Sequence, residues 1–135
     1  MRDISQCNVL LVDDTVENMD ILVATLGDEV EVTVAMDGES ALEAVVQEKP
    51  DMVLLDIEMP GMDGYEVFRR LREDPSMASI PIVFLSARSR PEDKARGLEM
   101  GAADFITKPF MVADVLDTVR GILTGGRPDK EDLSS

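Results

Sequence analysis

The sequence predicts an α/β protein: a doubly wound, five-stranded parallel sheet with helices on both faces. Two observations support this prediction. Five short apolar runs alternate along the chain with five amphipathic segments, which is typical of repeated βα units. Most of the runs are continuously apolar, as expected of parallel strands that are covered on both faces. Because right-handed crossovers leave few topologies, the flavodoxin-like strand order 2-1-3-4-5 is the natural choice.

The five apolar runs have the lengths of ordinary strands. The second run, VEVTVA, alternates polar and apolar residues and therefore suits an edge strand. Most of the others lack this alternation, so we expect helices to cover both of their faces. The predicted strands cover residues 7–12, 30–35, 51–55, 80–85 and 103–106.

Between the runs, apolar residues recur at helical spacing and predict helices with one buried face. Gly27 is expected to close the first helix and Pro50 to end the second. The fourth segment, PEDKARGLEMGA, is the weakest, because it has few apolar anchors and contains Gly97. In the third helix, three side chains are expected to point outward: Arg69, Arg70 and Arg72. The predicted buried stripes are Val16, Met19, Val23 and Leu26; Leu42, Val45 and Val46; Val67, Phe68 and Leu71; and Met111, Val115, Val119 and Ile122.

Length and composition indicate one soluble globular domain. The chain has 135 residues, of which 44% are apolar and 30% charged, and this length is enough to bury a core. No apolar run is long enough to span a membrane, and the N-terminus lacks the apolar stretch of a signal peptide. The one cysteine, Cys7, cannot form an internal disulfide, so a cytoplasmic location is the default expectation. We expect the domain at residues 1–124 and a polar tail, or the start of a linker, at residues 125–135.

The charge balance excludes some classes of partner. The 13 basic residues are outnumbered by 28 acidic ones, giving a formal net charge of −15. Nucleic-acid binding needs a basic face, so none is expected of this chain, and anionic membranes are disfavoured on the same grounds. The sequence contains no histidine. Any chemistry must therefore use other side chains, and the chain cannot carry a phosphoryl group on a histidine of its own.

Acidic residues follow two strands that are neighbours in the predicted sheet. Asp13 and Asp14 end the first strand, and Asp56 ends the third. Sites in open α/β sheets form at the carboxyl ends of the strands where the winding direction reverses, so three carboxylates are expected to converge. Such crowding is unfavourable unless a cation joins the carboxylates. Because the site offers only oxygen ligands, Mg²⁺ fits best.

The first two acidic residues also have a simpler interpretation, a helix N-cap beside a solvated neighbour; Asp14 with Glu17 resembles a capping box. The ends of two further strands favour the site instead. The fourth strand ends in Ser86 and the fifth in Lys108, which brings a hydroxyl and an ammonium to face the carboxylates. Taken alone, these are an ordinary turn residue and a surface charge. Together they suit phosphoryl transfer.

With these residues in view, the chain resembles the receiver domain of two-component response regulators. The segments that carry the resemblance are LLVDD, DMVLLDIEMPGMDG, IPIVFLSA and GAADFITKPF, and it covers about residues 7 to 124. The resemblance implies that Asp56 is the phosphoacceptor, whose carboxylate becomes an aspartyl phosphate. It also implies that Asp14, Asp56 and the backbone carbonyl of Glu58 ligate Mg²⁺, with Asp13 acting mainly through water.

The resemblance further implies roles for residues on the fourth and fifth strands. Lys108 would pair with a phosphoryl oxygen or, before phosphorylation, with Asp56, and the Lys108-Pro109 bond is expected to be cis. Ser86 would hydrogen-bond another phosphoryl oxygen and move toward it. Phe105 would turn inward to fill the space that Ser86 leaves, although it has a second interpretation as a plain core residue. Helix 4, strand 5 and helix 5 would form the surface that reports phosphorylation.

Two residues beside the site carry a hypothesis of their own. Glu58 lies two positions after Asp56, and Arg88 two after Ser86. Both could border the phosphoryl group and control the access of the water that hydrolyses it. The alternative is that both are solvated side chains.

The resemblance implies a phosphorylation-dependent switch for protein–protein interaction rather than an enzyme acting on a substrate. The phosphodonor would be a histidine kinase or a histidine phosphotransfer protein. The phosphorylated form would act on an effector protein or on a C-terminal output domain, and it could form a homodimer. One rival is a magnesium-dependent phosphohydrolase with an aspartate nucleophile, although such enzymes usually have a second aspartate at the position of Glu58. The other is a degenerate receiver that serves only as an interaction module.

Overall fold

A computed structural model describes residues 4–87 and 90–125. Within these residues the chain forms one parallel sheet of five strands in the order β2-β1-β3-β4-β5, which confirms the predicted fold class and strand order. The strands are β1 (Asn8–Val12), β2 (Glu31–Ala35), β3 (Met52–Asp56), β4 (Ile82–Ser86) and β5 (Asp104–Thr107). The helices are α1 (Val16–Leu26), α2 (Gly38–Gln47), α3 (Gly64–Glu73), α4 (Pro91–Glu99) and α5 (Val112–Thr124), and a 3-10 turn (Ile4–Gln6) precedes β1.

The sheet divides the core into two apolar layers. Helices α1 and α5 pack on one face through residues such as Leu22 and Val119. Helices α2 and α3 pack on the other face through residues such as Val45 and Phe68, and α4 packs beside them against β5. Every residue of β1, β3 and β4 is buried. Burial of a large apolar side chain stabilises the fold by roughly 1.5–3 kcal/mol, so these strands hold the sheet's rim in place.

Strand β2 is an edge strand, as its alternating sequence predicts. It pairs only with β1, in the register that places Val32 beside Val9 and Val34 beside Leu11. Val34 is exposed on the outer side of the sheet. The exposed side chain of Val34 lines an apolar groove of about 350 Å³ together with Val16 and Val23 of α1.

The predicted stripe of α1 is wrong at two of its four positions. Met19 and Leu26 are buried as expected, but Val16 is 54% exposed and Val23 is 38% exposed. Leu22 is fully buried instead. The buried face therefore follows positions 19, 22 and 26, and the two valines lie on the flank of the helix that faces the uncovered edge of the sheet. Gly27 follows the helix as predicted, and its N–H donates to the carbonyl oxygen of Val23.

Two other stripes are also shifted by a few residues. In α2, Val45 is buried with Ala41, whereas Val46 is 75% exposed. Before α5, Met111 is 68% exposed because it occupies the N-cap position rather than the helix itself. Leu123 closes the buried face of α5 in the last turn.

The three arginines of α3 do not behave alike. Arg69 and Arg70 point outward and pair with Glu66 on the helix surface, as predicted. Arg72 is a correction, because its guanidinium lies 4.5 Å above the ring of Phe68 and donates to the carbonyl oxygen of Ile80 at 3.1 Å. Its long apolar stem lets the side chain cover the end of the core while the charged head stays at the surface.

Helix α4 is the most weakly anchored helix, as its sequence predicts. Of its nine residues, all of which the structure describes, only Gly97 is buried. A Cβ atom on Gly97 would lie 2.9 Å from Cδ2 of Phe105 and 3.1 Å from Cδ2 of Phe84. The helix backbone therefore rests directly on two aromatic rings. Among the described residues, no helix is long and apolar enough to cross a membrane.

Two glycines open helices in the same way but face different neighbours. Gly38 and Gly64 each follow an aspartate N-cap, whose side chain accepts from a backbone N–H in the first turn. A Cβ atom on Gly64 would lie 2.4 Å from the carbonyl oxygen of Asp56 and 2.7 Å from Cα of Ile57. The three atoms nearest to a Cβ atom on Gly38 would all belong to the side chain of Met62, the closest at 2.9 Å. Backbone cannot give way as a methionine side chain can.

We therefore predict that Gly64→Ala is far more destabilising than Gly38→Ala. Overpacking against the backbone at the end of β3 should lower the free energy of unfolding by about 2–3 kcal/mol. The matched change at Gly38 should stay within about 1 kcal/mol, since Met62 can move and alanine favours the helix. Urea unfolding of both variants measures the difference. Equal losses of stability would contradict the close approach of Gly64 to β3.

Candidate functional site

Three carboxylates meet at the carboxyl edge of the sheet, where β1 and β3 lie side by side. Asp13 follows β1 and is fully buried, Asp56 ends β3 and is also buried, and Asp14 is exposed. One oxygen from each of the three lies within 4.8 Å of the others. The sequence predicts this convergence from the strand order alone. The oxygen-only donor set suits a hard divalent cation, and the spacing of the oxygens allows one ion to contact them all.

The buried carboxylate of Asp13 has several donors. Its Oδ1 accepts from the backbone N–H of Thr15 at 2.9 Å, and its Oδ2 accepts from Nδ2 of Asn18 at 3.4 Å. Thr15, not Asp14, occupies the N-cap position of α1. The capping-box interpretation of Asp14 is therefore wrong, and the side chain of Asp14 extends at the surface beside the buried pair.

Lys108 supplies the positive charge of the site. It follows β5, its bond to Pro109 is cis, and its Nζ lies 2.9 Å from Oδ2 of Asp13 and 3.4 Å from Oδ1 of Asp56. Burial opposes the charged form of this lysine, but the hydrogen bond that Lys108 donates to Asp13 and the negative charge of Asp56 outweigh it and raise the pKa of Lys108. The lysine is therefore held as an ammonium between two carboxylates, closer to Asp13 than to Asp56.

Asp56 is the carboxylate whose acidity is most altered. Burial is the largest cause, and together with the nearby charge of Asp13 it raises the pKa of Asp56 to about 7, against the opposing effects of Lys108 and of the N–H of Glu58. That N–H donates to Oδ1 of Asp56 at 3.2 Å. Perturbed ionisable groups of this kind cluster at functional sites.

Ser86 and Glu58 face each other across the ends of β4 and β3. Ser86 is fully buried, and its Oγ donates to Oε1 of Glu58 at 2.9 Å. The backbone N–H of Ala87 donates to the same oxygen at 3.0 Å. Glu58 is thus an exposed residue whose carboxylate also accepts two hydrogen bonds from the protein. Arg88, the other residue of the hypothesis on water access, lies outside the described residues.

Comparison with known proteins shows which family combines these features. The model of the response regulator receiver domain matches residues 9–120. The chain belongs to this receiver domain family. Response regulator PleD of Caulobacter vibrioides is 47% identical over 103 residues, 76% of this chain and 23% of that protein. A probable cyclic di-GMP phosphodiesterase of Vibrio cholerae is 41% identical over 112 residues, 83% of this chain and 25% of that protein.

A solved structure gives the same result for the fold. The chemotaxis protein CheY4 of Vibrio cholerae superposes with a TM-score of 0.81 at 32% identity, covering 87% of this chain and 99% of that one. The receiver domain described here thus matches a solved relative over nearly its whole length. It spans only about a quarter of the length of the two curated relatives.

Phe105 of this receiver domain lies under α4 rather than at the surface. The side chain is buried, its ring centroid lies 6.2 Å from that of Phe84, and the backbone of Gly97 packs against both rings. The inward ring is what the core interpretation expects, whereas the switch interpretation, in which the ring turns inward on phosphorylation, stays a prediction.

Sequence reasoning missed three groups at the site: the amide of Asn18 and the backbone N–H groups of Thr15 and Ala87. Asn18 lies in the first turn of α1, and its polarity beside a buried stripe was the available signal. The two N–H groups leave no trace in the sequence, because every residue except proline has one.

The raised pKa of Asp56 predicts how stability depends on pH in metal-free buffer. Asp56 ionises near 3.8 when unfolded and near 7 when folded, so the unfolded chain binds fewer protons between these values and stability falls as pH rises. Asp56→Asn abolishes this loss. We expect the stability of Asp56→Asn relative to the unmodified chain to increase by on the order of 2–4 kcal/mol between pH 4 and pH 8.

The measurement is urea unfolding of both proteins in the presence of a chelator across that pH range. A stability difference that stays constant from pH 4 to pH 8 would show that Asp56 ionises in the folded protein as it does in the unfolded chain.

Proposed function

We propose that this receiver domain is a phosphorylation-dependent switch in which Asp56 accepts a phosphoryl group from a partner's phosphohistidine. One observation carries the proposal: the buried Asp56 carboxylate lies beside Asp13 and Lys108, with Asp14 at the mouth of the site. This arrangement combines a nucleophile, a cation and further oxygen ligands within one small volume. Because this chain contains no histidine, the phosphohistidine would lie outside it, on a histidine kinase or a histidine phosphotransfer protein.

In the proposed reaction, an Oδ atom of Asp56 attacks the phosphorus atom of the donor. A new O–P bond forms as the N–P bond of the phosphohistidine breaks, and the leaving imidazole nitrogen keeps the electron pair. Lys108 stands within 3.4 Å of the attacking carboxylate and can pair with an oxygen of the transferred group. Ser86 would donate to another of these oxygens from the end of β4.

The acidic cluster would hold Mg²⁺ through Asp14 and Asp56, with the backbone carbonyl of Glu58 as a further ligand and Asp13 acting mainly through water. The bound ion would neutralise charge on the transferring phosphoryl group. The fold holds the three carboxylates close together before an ion binds. Asp13 is fixed by the N–H of Thr15 and by Lys108.

Phosphorylation would be reported at the surface formed by α4, β5 and α5. A phosphoryl group adds charge and strong acceptors that can reorder nearby elements, and Ser86 and Phe105 would respond first. An open cleft of about 300 Å³ lies on this surface, lined by Lys94 of α4, Phe105 of β5 and Asp114 of α5, among others. The weak anchoring of α4 supports its role as the movable part.

The phosphorylated surface would bind an effector protein, an output domain of a longer chain, or a second copy of this domain. The much greater length of the curated relatives supports an output domain. The net charge of −15 favours protein partners over nucleic acid or anionic membrane, and a cytoplasmic location fits such a pathway.

Phosphorylation of Asp56 is tested with acetyl phosphate and Mg²⁺, followed by intact mass spectrometry. We expect one phosphoryl group per chain, and none on Asp56→Asn. Asp51→Asn is the matched control, because Asp51 lies at the opposite end of β3 and its Oδ2 accepts from the N–H of Asn8. Absence of an adduct, or its persistence in Asp56→Asn, would refute the proposal, and sustained turnover of small phosphate esters would favour the phosphohydrolase.

The ammonium of Lys108 opposes the binding of a second cation beside it. We therefore predict that Lys108→Met binds Mg²⁺ several-fold more tightly than the unmodified chain, because the carboxylates lose their internal counterion. Titration calorimetry with MgCl₂ measures the effect, with Lys49→Met as the control for loss of one positive charge elsewhere. Weaker binding of Mg²⁺ by Lys108→Met would indicate that the lysine organises the carboxylates more than it competes with the ion.

A further inference from the structure

The side chain of Glu58 accepts hydrogen bonds from two donors at the end of β4. A single carboxylate oxygen, Oε1, accepts from Oγ of Ser86 at 2.9 Å and from the N–H of Ala87 at 3.0 Å. Ser86 is fully buried, so its hydroxyl cannot turn to bulk water. Glu58 itself is an exposed residue, and its carboxylate reaches inward from the surface to these donors.

These donors lie at the same edge of the sheet as Asp56. The β3–β4 register pairs Asp56 with Leu85, so Ser86 and Ala87 follow immediately on the neighbouring strand. The backbone N–H of Glu58 donates to Oδ1 of Asp56 at 3.2 Å, which ties the start of the Glu58 segment to the acceptor carboxylate. A phosphoryl group on Asp56 would bring negative charge and three acceptor oxygens close to Ser86 and Ala87. Both of these donors are already hydrogen-bonded to the carboxylate of Glu58.

We propose that the carboxylate of Glu58 competes with a phosphoryl group on Asp56 for these two hydrogen-bond donors. This competition lowers the affinity of the site for the phosphoryl group. This inference rests on the proposed function of Asp56. In the resting state the carboxylate satisfies Ser86 and Ala87; on phosphorylation it leaves for water, and the phosphoryl oxygens take over the donors. Two anions cannot share these donors at low cost, because like charges at hydrogen-bond range repel each other.

The competition weakens phosphoryl binding but does not block it. The carboxylate of Glu58 is at the surface and regains water when it leaves, so its hydration offsets part of the resting interactions that oppose phosphorylation. The backbone carbonyl of Glu58 is unaffected by changes to its side chain. Variants at this position therefore separate the competitor from the proposed metal ligand.

The test measures the affinity for trifluoroberyllate, an anion that mimics a phosphoryl group on a carboxylate, in the presence of Mg²⁺. We expect Glu58→Ala to lower its Kd by about tenfold, equivalent to about 1.4 kcal/mol. Glu58→Gln should give a smaller decrease, because the amide oxygen still accepts hydrogen bonds but carries no charge. Glu17→Gln, an equal charge change at an exposed position of α1, should leave the Kd unchanged.

A double-mutant cycle with Ser86→Ala connects the effect to the observed contact. The gain from Glu58→Ala should shrink in the Ser86→Ala background, because one of the two donors in competition is already gone. The amide of Ala87 provides an independent structural signal by NMR. In protein free of trifluoroberyllate, loss of the Glu58 carboxylate should shift the Ala87 amide proton upfield, as its hydrogen bond is lost.

The outcomes separate this inference from the proposed function. An unmodified chain that binds trifluoroberyllate, with an equal or weaker affinity in Glu58→Ala, overturns the competition and leaves Asp56 as the acceptor. Failure of the unmodified chain and of both Glu58 variants to bind overturns both proposals. An equal gain from Glu58→Ala with and without Ser86 also overturns the competition, since a general charge effect then explains it.

Discussion

The electrostatic balance between Lys108 and the carboxylates at the sheet's rim is the interaction on which the site depends. Asp13 and Asp56 are both buried, and a buried carboxylate beside another resists ionisation. The ammonium of Lys108 lies between them and offsets part of this repulsion, but the pKa of Asp56 remains near 7. Positive charge thus compensates these carboxylates only in part, which supports the Mg²⁺ binding proposed for the site.

The fold makes this crowding possible by rigid placement. Three fully buried strands, β1, β3 and β4, fix the positions of the rim residues. The start of α3 then packs against the end of β3 with no room for a side chain at Gly64. A sheet covered on both faces can hold like charges in proximity because neither strand can move apart without exposing apolar core.

The sequence predicts most of the architecture and the membership of the site, because both follow from simple periodicities. Continuous apolar runs identify the central strands, the alternation of VEVTVA identifies the edge, and the residue after each run falls at one rim. The errors occur where tertiary contacts, rather than sequence spacing, decide whether a side chain is buried. Val16 and Val23 obey helical spacing as well as Leu22 does, and only the uncovered edge beside β2 decides which face is buried. Arg72 has the same polarity as its neighbours and differs only in having the ring of Phe68 within reach.

Details inside the site were harder to predict for a related reason. An exposed glutamate is ordinarily solvated, and nothing in the letters around Glu58 reveals that it meets Ser86 and the N–H of Ala87. Those contacts depend on the path of the loops beyond β3 and β4. One further consequence arises at Gly97, where backbone lies against the ring of Phe105 with no side chain between them. Because no flexible side chain separates the two, a displacement of the Phe105 ring would directly move the backbone of α4.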